Sequence, residues 1–344
     1  MLYQFEFRTY QRKFKRPLQT SHSIWQIRTG IILKLTDEKN QIGWGEIAPL
    51  SWFGSETFEQ ALDFCTSLPT HISSETIFSI SDELPACQFG FESALSNETN
   101  SPPPAPPCQG GEQIGSLIYP CEGEKKLSQY SGLLPAGEAA LSALQMLWQQ
   151  GFRTFKWKIG VAVIEEELQV FRQLIKVMDD LCDREKAFLR LDANGGFNQS
   201  QAEIWLQTCD NVAKITDFSV QIEFLEQPLS VTQFDKMLAL STVYKTPIAL
   251  DESVANLDRI QQCYNLGWRG IFVIKPAIAG SPSQLRKFCQ THNIDAVFSS
   301  VFETPIGKQA ALNLATELFP NSRALGFGID DWFDDNHSIL DFGF

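Results

Sequence analysis

The chain has 344 residues, 43% of them hydrophobic, enough to bury the core of one large barrel or of two domains. Its 41 acidic residues against 28 basic ones give a formal net charge of −13, which argues against nucleic acid as a partner. No run of about 18 apolar residues could cross a membrane as a helix, and the first residues alternate like a strand instead of forming an export signal, so a cytoplasmic protein is expected.

Residues 1–115 read as an α+β capping domain. Segments 2–10 and 26–36 alternate as strands, Gln41 to Ala48 looks like a third, and helical patterns follow near 56–67 and 85–95. The basic cluster Arg8, Arg12, Lys13, Lys15 and Arg16 reads as a solvated hairpin face. The segment Ser96 to Gly111 carries Pro102-Pro103-Pro104-Ala105-Pro106-Pro107, and prolines without amide hydrogens make it an extended linker. The eight cysteines are scattered without a Cys-x-x-Cys pair, so reduced, buried thiols are expected.

From about residue 130, strand and helix patterns alternate. Strands are expected at 131–135, 153–159, 187–192, 220–226, 247–250, 270–275, 295–300 and 323–327. The helices between them fall at 138–150, 163–181, 199–209, 231–242, 256–266, 281–291 and 305–318. That alternation is the mark of a parallel sheet, and eight strands favour closure into a modified TIM barrel of (β/α)7β type. The barrel is expected over 116–328, with a tail at 329–344 returning to the capping domain.

Five consecutive strands end on a charged residue: Lys158, Asp192, Glu226, Asp251 and Lys275, at steps of 34, 34, 25 and 24 residues. One charge closing a strand is ordinarily the first solvated loop residue. Five in successive βα units should instead ring the carboxyl-terminal mouth, where active sites of this fold sit. Asp192, Glu226 and Asp251 form an all-oxygen donor set, which selects a hard cation, best Mg²⁺ with Mn²⁺ able to substitute. Glu223 lies three residues from Glu226 and should face the other way. Lys156 and Lys158 are two apart on one strand face, where two ammonium groups should depress each other's pKa and free a lysine base. Arg190 shares the face of Asp192, either as a structural partner of a carboxylate or as a substrate contact.

Lys156-Trp157-Lys158, Leu191-Asp192-Ala193-Asn194, Leu225-Glu226-Gln227-Pro228, Leu250-Asp251-Glu252-Ser253 and Ile274-Lys275-Pro276 together resemble the enolase superfamily, in the branch of the muconate lactonizing enzymes. Gly43-Trp44-Gly45-Glu46 and Ser51-Trp52-Phe53-Gly54 resemble its cap strand and cap loop. The resemblance implies a Mg²⁺-dependent lyase that abstracts a proton next to a carboxylate, with Lys158 as base and Lys275 as the cation stabilising the enolate. It points further to dehydration of a succinyl-substituted hydroxycyclohexadiene carboxylate in menaquinone or phylloquinone synthesis, with Ser299 and Ser300 meeting the substrate.

Alternatives stay open: an acylamino acid racemase or dipeptide epimerase, a cycloisomerase, and a non-catalytic barrel. Dipeptide epimerases of the branch carry an Asp-x-Asp near the eighth strand, whereas Asp330 and Asp331 here are adjacent. The expected partner is a small-molecule carboxylate, and the expected state a monomer or weak homo-oligomer.

Overall fold

The computed structural model describes residues 1–19, 24–96, 127–182, 185–215, 219–320, 323–328 and 332–333. The expected proline-rich linker, Cys108, Cys121, Asp330, Asp331 and most of the expected tail lie outside these residues.

The cap sheet is antiparallel, built from β1 (Leu2–Gln19), β2 (Ile24–Thr36), β3 (Ile42–Ile47) and the short β4 (His71–Ser73), in the order β3-β2-β1-β4. Three helices accompany it: α1 (Phe58–Ser67), α2 (Ser74–Phe78) and α3 (Pro85–Ser96). Thr57 and Gln60 start α1 with a reciprocal capping box. The apolar run Ile31-Ile32-Leu33 in β2 has a simple cause, because both faces of the strand are covered. Ile31, Leu33 and Leu35 join the main core, while Ile32 packs with Tyr10, Trp44 and Ile306 of the barrel. Gly45 allows α3 to lie directly on β3, since a Cβ there would stand 2.0 Å from the Gly90 carbonyl oxygen.

The second sheet is an eight-stranded parallel barrel. Its strands are β5 (Tyr130–Leu134), β6 (Thr154–Lys158), β7 (Ala187–Asp192), β8 (Val220–Glu226), β9 (Ile248–Leu250), β10 (Ile271–Ile274), β11 (Asp295–Phe298) and β12 (Leu325–Gly328). Neighbours pair in chain order, β12 returns to pair with β5, and a single bridge between Ser299 and Gly326 joins β11 to β12. Gly326 makes that closure possible, for a Cβ there would come 2.6 Å from Ser299 Oγ. Between the strands run α4 (Ala139–Gln150), α5 (Ile164–Leu181), α6 (Gln199–Val212), α7 (Phe234–Val243), α8 (Leu257–Asn265), the short α9 (Pro276–Ala279), α10 (Pro282–Thr291) and α11 (Pro305–Leu318). The architecture is therefore the (β/α)7β barrel with an α+β cap. Phe224, Ala249, Ile271, Val273 and Val297 form a separate apolar cluster of their own on β8 to β11.

Two local expectations are corrected. Arg12 is not on a solvated face: it is buried, donates from Nη1 to the Glu303 carbonyl at 3.2 Å and lies over the Phe333 ring. Glu223 does not face away from the barrel interior. A bulge pairs Leu189 with Ile222 but Arg190 with Phe224, so the alternation slips by one residue and Glu223 meets Arg190. All six described cysteines are free thiols, five of them buried.

One carboxylate joins cap to barrel. Glu46 of β3, fully buried, accepts from Tyr10 Oη, from the Thr304 amide and hydroxyl, and from the Gly307 amide at the start of α11. Glu46→Leu would leave those donors buried and unpaired, and should destabilise the protein by about 3 kcal/mol or more. Urea unfolding followed by circular dichroism measures this; an unchanged midpoint would contradict the assigned joint.

Candidate active site

A cavity of about 810 Å³ opens at the carboxyl-terminal mouth of the barrel, beneath the cap. Lys156, Lys158, Asp192, Asp251, Lys275, Ser299 and Ser300 line it, together with Trp25, Trp52 and Phe53 from the cap. The parallel register explains the convergence: Lys158 sits beside Asp192 and Asp192 beside Glu226 on neighbouring strands. Strand order also sets who faces whom. Between β6, which carries Lys158, and β10, which precedes Lys275, lie three strands on either side. The two lysines therefore approach from opposite sides of the ring, with Asp192 and Glu226 at the ends of the intervening β7 and β8 and Asp251 just after β9.

Lys156 Nζ donates to Asp192 Oδ2 at 2.9 Å and to Glu226 Oε1 at 2.7 Å. Burial alone would push this lysine's pKa down, but the charges of Asp192, Glu226 and Asp251 outweigh it and hold the pKa above the ordinary lysine range. The expected mutual depression of the paired lysines thus fails at Lys156, because its nearest neighbours are carboxylates. Lys275 pairs with Asp251 and places its ammonium 3.9 Å from the centre of the Phe53 ring. Lys158 differs from both: among the described residues its amine has no hydrogen-bond or ion-pair partner, although it lines the cavity.

Arg190 is corrected as a substrate contact. It does not line the cavity; its Nε donates to Glu223 at 2.6 Å and its Nη2 to the Ala324 carbonyl at 2.7 Å, deeper in the barrel. Arg323 holds the second oxygen of Glu223 at 3.2 Å. Ser300 donates its hydroxyl to Glu303 at 2.8 Å, so of these two serines only Ser299 keeps an unengaged hydroxyl among the described residues.

Two residues without an assigned role in the sequence prove to belong to the site. Glu252 lines the cavity, accepts from Asn194 Nδ2 at 3.2 Å and keeps Oε2 buried without a partner. Gln227 is fully buried; its Oε1 accepts from the amides of Asp251 and Ser253, and its Nε2 donates to Ser253 Oγ and the Leu229 carbonyl. Gln227 and Asn194 both hold left-handed backbone, at φ of 37° and 45°. The Asn194 amide, two residues past the end of β7, and the Gln227 amide, one past the end of β8, thus both hold the loop of Asp251, Glu252 and Ser253, a role that only their strand-end positions could have signalled.

The carboxylates fit a divalent cation chemically. Burial and the neighbouring Asp192 charge raise Glu226 to about 8, and burial with Asp251 and Asp192 raises Glu252 to about 7. These are groups short of positive charge, and Glu252 adds an orphaned oxygen. Among the described residues no three Asp, Glu, His or Cys side chains stand gathered as a finished ion site. The ion pairs give the reason: the Lys156 ammonium bridges Asp192 and Glu226, and Lys275 holds Asp251.

Comparison with known proteins agrees with this frame. Residues 138–341 match the family model "Enolase C-terminal domain-like", and residues 5–98 match "MenC, N-terminal domain". The o-succinylbenzoate synthase of Thermosynechococcus vestitus is 36% identical over 95% of this chain and 92% of its own length. That of Photorhabdus laumondii is 30% identical over 90% and 86%. A crystal structure of o-succinylbenzoate synthase from Thermosynechococcus elongatus BP-1, with Mg in its active site, covers 96% of this chain and 94% of its own at 35% identity and a TM-score of 0.80. The L-Ala-D/L-Glu epimerase of Bacillus subtilis shares the fold, with a TM-score of 0.70 at 17% identity. The chain belongs to the enolase superfamily and, within it, to the family of the o-succinylbenzoate synthases.

Gln227→Leu removes the acceptor of two buried amides and should cost about 2–4 kcal/mol. Chemical unfolding checks it, and a stability within 0.5 kcal/mol of the parent (about the scatter of neutral surface changes) would contradict the role given to Gln227.

Proposed function

We propose that the protein is an o-succinylbenzoate synthase, a lyase that dehydrates 2-succinyl-6-hydroxy-2,4-cyclohexadiene-1-carboxylate in menaquinone or phylloquinone synthesis. The observation that carries this reading is the division of labour between two lysines on opposite strands. Among the described residues Lys158 has no hydrogen-bond or ion-pair partner, whereas Lys275 is engaged by a carboxylate and an aromatic face. A racemase or epimerase needs two lysines that each take and return a proton; one free amine and one ammonium kept charged by the face of the Phe53 ring suit an elimination.

Asp192, Glu226 and Asp251 would hold Mg²⁺ or Mn²⁺, with Glu252 beside them. When bound, the ion supplies positive charge for the substrate's carboxylate oxygens as negative charge grows on them. Lys156 is placed to bind that carboxylate from the side of Asp192. Lys158 takes the proton from the α-carbon, and the bonding pair flows toward the carboxylate. Lys275, across the ring of strands, offsets the charge left on the substrate. As the C–O bond breaks, the electron pair returns to close the new double bond, and the departing hydroxide takes back the proton from Lys158 as water. Aromatisation drives that step. Ser299 offers a hydroxyl to the same cavity, which Trp25, Trp52 and Phe302 also line.

The remaining properties follow the same reading. No helix among the described residues is long and apolar enough to cross a membrane, and the net charge of −13 supports a small-molecule enzyme of the cytoplasm without a nucleic-acid partner.

The direct test is loss of diene absorbance when the protein meets this substrate with Mg²⁺, alongside racemisation of an N-succinyl amino acid. Dehydration should dominate and stop on chelation of the metal; racemisation without dehydration would overturn the reading. Lys158→Ala should lower kcat by about 10³-fold or more with the fold and Mg²⁺ titration intact, and near-parental turnover would remove Lys158 as base. Glu226→Gln should weaken Mg²⁺ binding by about tenfold or more, and an unchanged titration would take Glu226 out of the ligand set.

A further inference from the structure

The cavity has walls of two origins. Leu50, Trp52 and Phe53 come from the cap loop after β3, and Ser299, Ser300, Val301 and Phe302 from the barrel loop after β11. Trp25 of β2 completes the cap side. One buried side chain reaches all three segments. Arg28, on β2, is 1% exposed. Its Nη1 donates to the Pro49 carbonyl at 2.9 Å and the Thr29 carbonyl at 2.7 Å, its Nη2 donates to the Ala48 carbonyl, and its Nε donates to the Val301 carbonyl at 3.1 Å. The guanidinium carbon lies 5.3 Å from the centre of the Trp25 ring.

Only a guanidinium offers five donors in one rigid plane, so Arg28 can hold carbonyls of separate loops at a fixed spacing where an ammonium could not. The barrel loop has reason to need it. Phe302 sits at φ 62°, a region an aromatic residue enters only when its surroundings impose it. Arg12 adds a bond to the Glu303 carbonyl, and the Glu303 carboxylate folds back onto Ser300 Oγ and the Val301 amide. The loop is therefore clamped from the cap, not by the barrel alone.

We propose that Arg28 is a positioning residue for substrate binding, tying cap residues 48–53 to barrel residues 299–302 so that they act as one wall of the cavity. The proposal rests on the dehydratase reading only for the substrate used to measure it. Arg28 does not itself line the cavity; Lys158 lies on β6 and Lys275 directly after β10. Loss of the tie should therefore act on KM, with kcat for bound substrate largely kept. A residue that merely stabilised the fold would instead reduce the active fraction and leave KM where it was.

The test compares Arg28→Lys with Ile77→Val, a cap-core control whose parent side chain is 1% exposed, both with saturating Mg²⁺. Arg28→Lys should raise KM by about tenfold or more with kcat within about threefold, while Ile77→Val lowers Tm and keeps the parental KM. A KM within about twofold of the parent for folded Arg28→Lys overturns the proposal. A second measurement needs no variant and no turnover: native-state hydrogen exchange of the unmodified protein under increasing urea. Amides of 50–54 and 299–304 should open together with one urea dependence; opening free of each other, at rates differing about tenfold, overturns it. If the unmodified protein fails to dehydrate the substrate yet shows joint opening, the functional reading falls and the clamp stands.

Discussion

The site depends on a local excess of negative charge that the fold creates and cannot disperse. Register in the parallel barrel puts Asp192 and Glu226 side by side, and the Gln227 amide draws the Asp251 loop in beside them. Burial strips Glu226 of water, and the charges of Asp192 and Asp251 beside it raise the cost of ionising it further. Positive charge must come from elsewhere. In this structure Lys156 and Lys275 supply it, and a divalent ion would supply it more fully while releasing the lysines for substrate. The proposed metal site and the proposed catalytic cations thus answer the same electrostatic need.

The cap contributes walls, not reacting groups. Aromatic rings from Trp25, Trp52 and Phe53 close the mouth, and Phe53 reaches far enough to touch the Lys275 ammonium. What keeps the cap in place is a set of buried polar contacts: Glu46 on the first turn of α11, Arg28 and Arg12 on carbonyls of the loop before it. Buried charges of this kind add little to stability when compared with apolar packing, but they tolerate few alternative geometries. A cavity assembled from two domains gains a defined shape from them.

Most of the barrel was legible in the sequence because its signals are local. The 24- to 34-residue steps between charged strand ends arise from the length of a βα unit, and the observed strands β7 and β8 coincide with the expected 187–192 and 220–226. Asp192, Glu226, Asp251, Lys158 and Lys275 could be assigned to one mouth for the same reason. What failed was whatever depended on contacts between strands. Strand alternation predicted the wrong side for Glu223 because a bulge is a property of a pair, invisible in either strand alone. Lys156 was assigned a depressed pKa from its neighbour in sequence, whereas its neighbours in space are carboxylates from β7 and β8. Arg12 looked like an available charge, and Arg190 could be either a carboxylate's partner or a substrate contact, yet their partners stand 291 and 33 residues away, where no local pattern shows them. Short elements such as β4 and α2 carry too few residues for a period to show.

Asp192, Glu226 and Asp251 are proposed as one cation site, which Lys156 and Lys275 fill in this structure. Crystals grown with Mn²⁺ and measured for anomalous scattering test this directly. A single strong peak coordinated by these three carboxylates is expected, with Lys156 Nζ withdrawn from between Asp192 and Glu226. A map with no peak there, and Lys156 still bridging the two carboxylates, would contradict it.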